Sequence, residues 1–177
     1  MGYEEQKIEG RNAVLEAFRS GKTIDKLFVL DGCQDGPVRT IVREARKHDT
    51  IINFVDKERL DQLSETKKHQ GVIAVAAAYE YAEVEDILKN AEEKGEPPFI
   101  FILDNIEDPH NLGAIIRTAN LAGAHGVIIP KRRAVGLTAT VAKTSAGAIN
   151  YTPVAKVTNL TAAIKDCLLY TSDAADD

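Results

Sequence analysis

The chain has few aromatic side chains, five phenylalanines and five tyrosines in 177 residues, so recognition of nucleic acid by base stacking has few platforms to draw on. Its two cysteines, Cys33 and Cys167, exclude a disulfide framework and a cysteine-built metal site. No apolar run approaches the ~20 residues that a membrane helix needs. The opening MGYEEQKIEG lacks a basic stretch followed by an apolar one, as a secretory leader would have, and Gln6 stands where myristoylation prefers Ser or Thr. A phosphate fingerprint of three spaced glycines after a strand is absent too, which argues against a nucleotide-binding Rossmann enzyme. The expectation is a cytoplasmic protein with neither membrane nor metal as a partner.

The net charge of −5 is unevenly spread. Residues 1–77 carry 13 basic and 13 acidic side chains, residues 78–100 carry 2 and 7, and residues 101–166 carry 7 and 4. One acidic stretch therefore masks a mildly basic second half. Polyanion binding depends on local patches, so total charge neither favours nor excludes RNA.

Helix and strand signals alternate along the first half. Asn12 can cap a helix with Val14, Leu15 and Phe18 on one face. A strand is expected over 26–30. Pro37 then opens a helix whose stripe is Val38, Ile41, Val42 and Ala45. Strands over 51–55 and 72–77 flank a short helix capped by Asp56, and the pattern predicts an α/β domain with largely parallel strands over 1–77. Residues 78–98, with one acidic helix and then Gly95, Pro97 and Pro98, read as an interdomain linker. A second α/β unit over 99–166 begins with a continuous apolar strand suited to burial on both faces, over 99–103. Residues 167–177, CLLYTSDAADD, read as a non-native tail outside the fold.

The chemistry concentrates in LDNIEDPHNLGAIIRTANLAGAHGVIIP, residues 103–130. A strand delivers a polar loop to the carboxyl end of a parallel sheet, where open α/β folds bind ligands. Pro109 stiffens the loop and Asn111 can cap the next helix. Gly113 permits close approach of a substrate or another chain, and the free amides of the first turn favour a phosphate. Arg117 lies about 120° around the axis from Asn111, so it shares a site with it only by reaching back towards the helix start.

Asn105, Asp108, Pro109, Asn111, Gly113, Ala114, Arg117, Thr118 and Ala119 resemble the first motif of the SpoU (TrmH-like) RNA ribose methyltransferases. IEGRNAVLEAFRSG (8–21) and HQGVIAVAAAYEY (69–81) are similar to the RNA-binding domain of the subgroup that modifies large-subunit (23S) ribosomal RNA at guanosine, and VAKTSAGAINYTPVAKVTNL (141–160) to its catalytic domain. The resemblance implies a small ribosomal-protein-like α/β domain followed by the first part of a Rossmann-like SPOUT domain, its trefoil knot missing. It also implies an enzyme that uses S-adenosylmethionine, without metal, to methylate a ribose 2′-hydroxyl, and a homodimeric full-length protein. Carried over by position, Arg117 and Asn111 are the catalytic pair. Since a guanidinium is effectively always protonated, Arg117 is better read as a clamp on phosphate and developing oxyanion than as a base. Arg11, His69, Gln70, Lys131, Arg132 and Arg133 are candidate RNA contacts, each equally readable as structural or solvated. Lys143, Thr144, Ser145 and Gly147 either line the site or pack. Asn150 stands where the family has glutamate, while Glu107 and His110 read as solvated.

The family's second and third motifs, a Gly-Ser-Glu-Gly-type turn and an Ile-Pro-Met…Ser-Leu-Asn-Val-Ser-type segment, do not occur in these 177 residues. The expectation is therefore a piece of such an enzyme, with a monomeric state open to it, that neither binds the cofactor nor turns over. Exposed strand edges are expected in its second half. The alternative is a non-enzymatic RNA-binding module of ribosomal-protein type.

Overall fold

The computed structural model describes residues 6–173, which fold as two units, one ending at Ala78 and the next beginning at Tyr79. The first contains β1 (Gln6–Glu9), α1 (Arg11–Arg19), β2 (Ile24–Leu30), α2 (Gly36–Lys47), β3 (Ile51–Val55), α3 (Lys57–Leu63) and β4 (Val72–Ala76). Capping chemistry explains where α2 and α3 start. The Asp35 carboxylate accepts the Val38 amide at 3.1 Å, and that of Asp56 accepts the Arg59 amide at 2.7 Å. Helices α1 and α2 press Val14, Phe18, Val38, Ile41 and Ala45 onto one sheet face, against Leu27 and Val29 of β2. Helix α3 contributes the fully buried Leu60.

Three expectations fail here. The sheet order is β1-β4-β2-β3, and only β2–β3 is parallel, so the strands are mostly antiparallel. Alternating hydrophobicity marks a strand without encoding its direction, and β1 was not anticipated at all. Asn12 is not the cap of α1 either. Gly10, at φ 91°, holds that position, and the first helical amide, Arg11 N–H, donates to Gln70 Oε1 at 3.1 Å, a partner 59 residues away.

The second unit contains α4 (Val84–Lys94), β5 (Ile100–Ile102), α5 (Pro109–Leu121), β6 (Gly126–Pro130), α6 (Ala139–Thr144), a 3-10 turn (Ala148–Asn150), β7 (Val154–Val157) and α7 (Leu160–Asp173). Its sheet is parallel in the order β5-β6-β7. Helices α5 and α6 lie on the same face, as successive crossovers of one hand require, and there Leu112, Ile116 and Val141 bury Val127 and Ile129. Helices α4 and α7 cover the other face through Ile87, Leu160 and Cys167 around Ile128 and Ala155.

The stretch read as a linker is part of this core. Ile87 is fully buried against Gly126, where a Cβ would lie 2.6 Å from Ile87 Cδ1. Ala82 bridges Ala155, its amide donating to Val154 O at 2.9 Å, so that the outer edge of β7 is partly covered rather than bare. The acidic residues of α4 occupy its wet face and obscured an apolar stripe of Ile87, Leu88 and Ala91. Strand β5 packs on both faces, Phe101 with the α5 and α6 side and Ile100 and Ile102 with the α4 and α7 side, although its residues are only half-buried and Phe99 is 46% exposed, as befits an edge strand. The suspected tail is not outside the fold to its full length. Helix α7 continues to Asp173, Cys167 packs on the core, and the Tyr170 hydroxyl donates to Glu92 at 2.7 Å. The remainder of that tail, 174–177, lies outside the described residues. Among the described residues, no helix is long and apolar enough to cross a membrane.

One carboxylate organises the turn before β4. Glu9 accepts the Ser64 hydroxyl at 2.7 Å, the Glu65 amide at 2.6 Å, and both the hydroxyl and amide of Thr66. Burial alone would raise its pKa, but these hydrogen bonds outweigh that and hold it at about 2, against an ordinary 4.5. A lowered folded-state value means stability that is present above pH 4.5 and is lost as pH falls towards 2. Urea unfolding followed from pH 5 to pH 2 should show this loss, and Glu9→Gln should flatten it; an unchanged profile would contradict the assignment.

Candidate functional site

The site begins where β5 ends. Asn105 adopts φ 54°, a left-handed conformation that asparagine tolerates, and turns the chain into the loop before α5. Asp108, not Asn111, caps that helix. Its Oδ1 accepts the amides of His110 at 2.7 Å and Asn111 at 3.1 Å, and Pro109 follows as the first helical residue. The physical reason is register. A proline at the first helical position places the cap one residue before it, and a carboxylate there also suits the helix dipole. The amides expected to cradle a phosphate are thus already occupied, and anion binding at this end falls to side chains.

Gly113 is buried, and its neighbour is α6 rather than a substrate or a second chain. A Cβ there would sit 1.8 Å from Thr144 Oγ1 and 2.7 Å from Thr144 Cβ. The Thr144 hydroxyl lies 2.9 Å from Thr140 O and 3.3 Å from Pro109 O, tying α6 to the first turn of α5. Thr144 and the fully buried Ser145 therefore pack, whereas Lys143 is exposed. Asn150 donates to Gly147 O at 3.2 Å, a local bond for which a glutamate at this position would have no donor.

The loop after β6 is stitched to the loop after β5. Ile106 and Ala134 form a parallel bridge, and the Val135 amide donates to Ile106 O at 2.7 Å. Lys131 is half-buried, its amide donating to Val157 O at 2.8 Å, while Arg132 and Arg133 are exposed. Arg133 has φ 57°. The Tyr81 hydroxyl accepts the Leu137 amide at 2.9 Å and supports this loop from below. Two guanidinium groups are thereby held on the segment bound to the Asn105–Asp108 turn, a juxtaposition the sequence suggested only as a charge run.

Asn111 and Arg117 are both exposed, and among the described residues no hydrogen bond or ion pair joins them or occupies Arg117. They lie about 9 Å apart along the axis of α5. The expected convergence of their side chains is not formed in this structure.

The candidates of the first unit are largely committed to its own architecture. His69 is 8% exposed; its Nδ1 accepts the Gly71 amide at 3.0 Å, which places the proton on Nε2, 3.0 Å from Asp61 Oδ1. No ring nitrogen is left for RNA. That hydrogen bond from His69 is the main reason the Asp61 carboxyl lies below its ordinary range. Arg11 donates to Gln70 O at 3.0 Å and pairs with Asp35 at 2.5 Å. The Val38 amide first, and the Arg11 charge with it, lower the Asp35 carboxyl. Arg11, Asn12, Cys33, Gln70 and Gly71 line an open cavity of about 550 Å³, so this corner is accessible although its hydrogen bonds face inward. Sequence reasoning missed His125. It is buried at the start of β6, with Nδ1 accepting the Phe99 amide at 3.1 Å and Nε2 3.0 Å from Glu96, and no pattern announced it.

A polar loop on a parallel sheet, an arginine-bearing helix and a separate α/β unit before them define a class, and comparison with known proteins agrees. Residues 7–82 match the model described as RNA 2′-O ribose methyltransferase substrate binding, and residues 98–172 match the SpoU rRNA methylase family. The chain belongs to the SpoU/TrmH family of RNA methyltransferases. It is 49% identical over 166 residues to YacO of Bacillus subtilis, described as a TrmH family tRNA/rRNA methyltransferase, covering 94% of this chain and 66% of YacO. A relative from Staphylococcus haemolyticus with a similar description is 45% identical over 92% of this chain and 65% of its own length. The chain thus spans just under two thirds of these relatives. Among solved structures, the SpoU methyltransferase AviRb of Streptomyces viridochromogenes, in complex with its cofactor AdoMet, matches with TM-score 0.42 and 21% identity over 91% of this chain and 58% of AviRb.

Gly113→Ala should cost about 1–3 kcal/mol by overpacking the α5–α6 contact, and so lower the melting temperature of the second unit by several degrees. A melting point unchanged to within a degree would refute the close approach.

Proposed function

We propose that this chain carries the RNA-recognition and first-motif portion of an S-adenosylmethionine-dependent RNA ribose 2′-O-methyltransferase that acts in the cytoplasm, with large-subunit ribosomal RNA as its substrate. The observation that carries this reading is the stitched pair of loops. The motif turn from Asn105 to Asp108 is bonded to the segment bearing Arg132 and Arg133, at the carboxyl end of a parallel sheet.

S-adenosylmethionine would supply the methyl group, but the described residues do not build its cradle. After β7 the chain turns straight into α7, with Asn159 Oδ1 accepting the Ala162 amide at 3.1 Å, and leaves no extended loop there to wrap a nucleoside. The two cofactor motifs are likewise missing from the 177 residues. In this reading they lie in the third of the relatives' length that the chain does not span, and the chain by itself is inactive.

The chain's own residues have a narrower role, which is to hold a ribose and its phosphate still. With the α5 amides taken by Asp108, the cationic groups offered to an anion are Arg132 and Arg133 on the stitched loop and Arg117 further along α5, all three exposed. Arg117 is a clamp whose planar fork grips phosphate, and later the oxyanion that develops on the 2′-oxygen. Asn111, one residue past the first capped amide, offers an amide group to orient the ribose. Both side chains are exposed and so accessible to RNA.

The test is Arg117→Ala in a protein of the relatives' full length, assayed for methyl transfer to ribosomal RNA and for RNA affinity. A clamp loses both, with affinity falling several-fold and transfer by about 10²-fold or more. Abolished transfer at undiminished affinity would contradict the clamp. Methyl groups found on bases instead of ribose would contradict the assigned chemistry.

A further inference from the structure

The first unit carries a second basic groove, on the side of α2, that none of the chemistry above uses. Arg39, Arg43 and Arg46 recur at helical spacing and so share one face of α2. Together with Val42 and Phe54 they line a cavity of about 350 Å³. Phe54 belongs to β3, an edge strand, and is 53% exposed; its alternate neighbour Ile52 points the same way and packs on the core.

A solvated helix face explains arginines, but not a large aromatic ring left open beside them. The local acids neutralise the groove only in part. Glu44 bonds Lys47 at 2.8 Å and stands 3.9 Å from Arg43, and Asp35 is spent on Arg11. Arg39 is braced by its Nε, which donates to Gln34 O at 2.5 Å. The Arg46 guanidinium has no hydrogen bond or ion pair among the described residues. Cys33 lines this groove and also the cavity of Arg11, Asn12 and Gln70, so the two adjoin.

We propose that this groove holds an unpaired nucleotide of the RNA substrate, its base stacked on Phe54 and its flanking phosphates held by Arg43 and Arg46. Duplex RNA buries the faces of its bases, so the occupant is a single-stranded loop or end. The proposal rests on the reading that this family member binds RNA, and adds where and how the first unit does so.

The sequence contains no tryptophan, so Phe54→Trp places a sole indole in the groove. In the full chain, a twelve-nucleotide oligouridylate should quench that fluorescence, whereas an abasic oligomer of equal length and polyglutamate should not. By anisotropy with the labelled oligouridylate, Arg43→Glu with Arg46→Glu should weaken binding about tenfold or more and lower the salt slope by about 1.4, at ~0.7 per phosphate contact. Circular dichroism confirms that each variant is folded. Wild-type binding with an unquenched indole and no effect of the arginine changes overturns the groove while sparing the family reading. Equal quenching by polyglutamate assigns the groove to an acidic protein and overturns it as well. No binding of oligouridylate by the wild type at low salt removes the RNA-binding premise, and the groove with it.

Discussion

Everything proposed for the second unit depends on the absence of one carbon atom. Gly113 has no Cβ, and in the space it would fill lies the Thr144 hydroxyl. Because α5 and α6 meet there, the first turn of α5 is fixed against a neighbour that also reaches Pro109 O. The turn that leads into α5 is then held from its other side by the Ile106–Ala134 bridge. Interiors pack densely enough that such a contact admits little slack. The motif's spacing is, in this view, a packing specification first. Chemistry follows, because a rigid seat is what a loop needs in order to present Asn111 and Arg117 reproducibly.

The first unit shows polar residues spent on architecture. Glu9 knits β1 to the turn before β4, His69 links Asp61 to Gly71, and Gln70 caps α1 through the Arg11 amide. Each satisfies a backbone group in an irregular segment, where unpaired donors would be costly. Among the described residues, the guanidinium groups of Arg46 on α2 and of Arg132 and Arg133 on the loop after β6 have no comparable bond.

Helix starts written in adjacent residues were legible: Pro37 sits in the first turn of α2 as expected, and Asp56 caps α3 as local chemistry dictates. Starts that depend on distant partners were not, and Gln70 on α1 is the clear case. Strand β3 was readable to its ends, yet the antiparallel insertion of β4 between β1 and β2 was not, since pleat periodicity is blind to direction. Acidic composition disguised α4, whose three buried residues make it part of the core. At the candidate site, Asn105, Asp108, Pro109, Gly113 and Arg117 stood out in the sequence, but two local roles differ in the structure. Asp108 took the cap assigned to Asn111, and Gly113 admits a helix where a substrate was expected. His125 gave no signal because a buried histidine between two loops has no periodic signature.

The central claim is that the loops after β5 and β6 form one ledge that receives ribose and phosphate. A backbone amide NMR titration with a short oligoribonucleotide tests it most directly. Shifts are expected to concentrate at 105–111 and 131–135, moving together with one apparent affinity. Shifts absent from both loops, or present in one with the other silent, would contradict it.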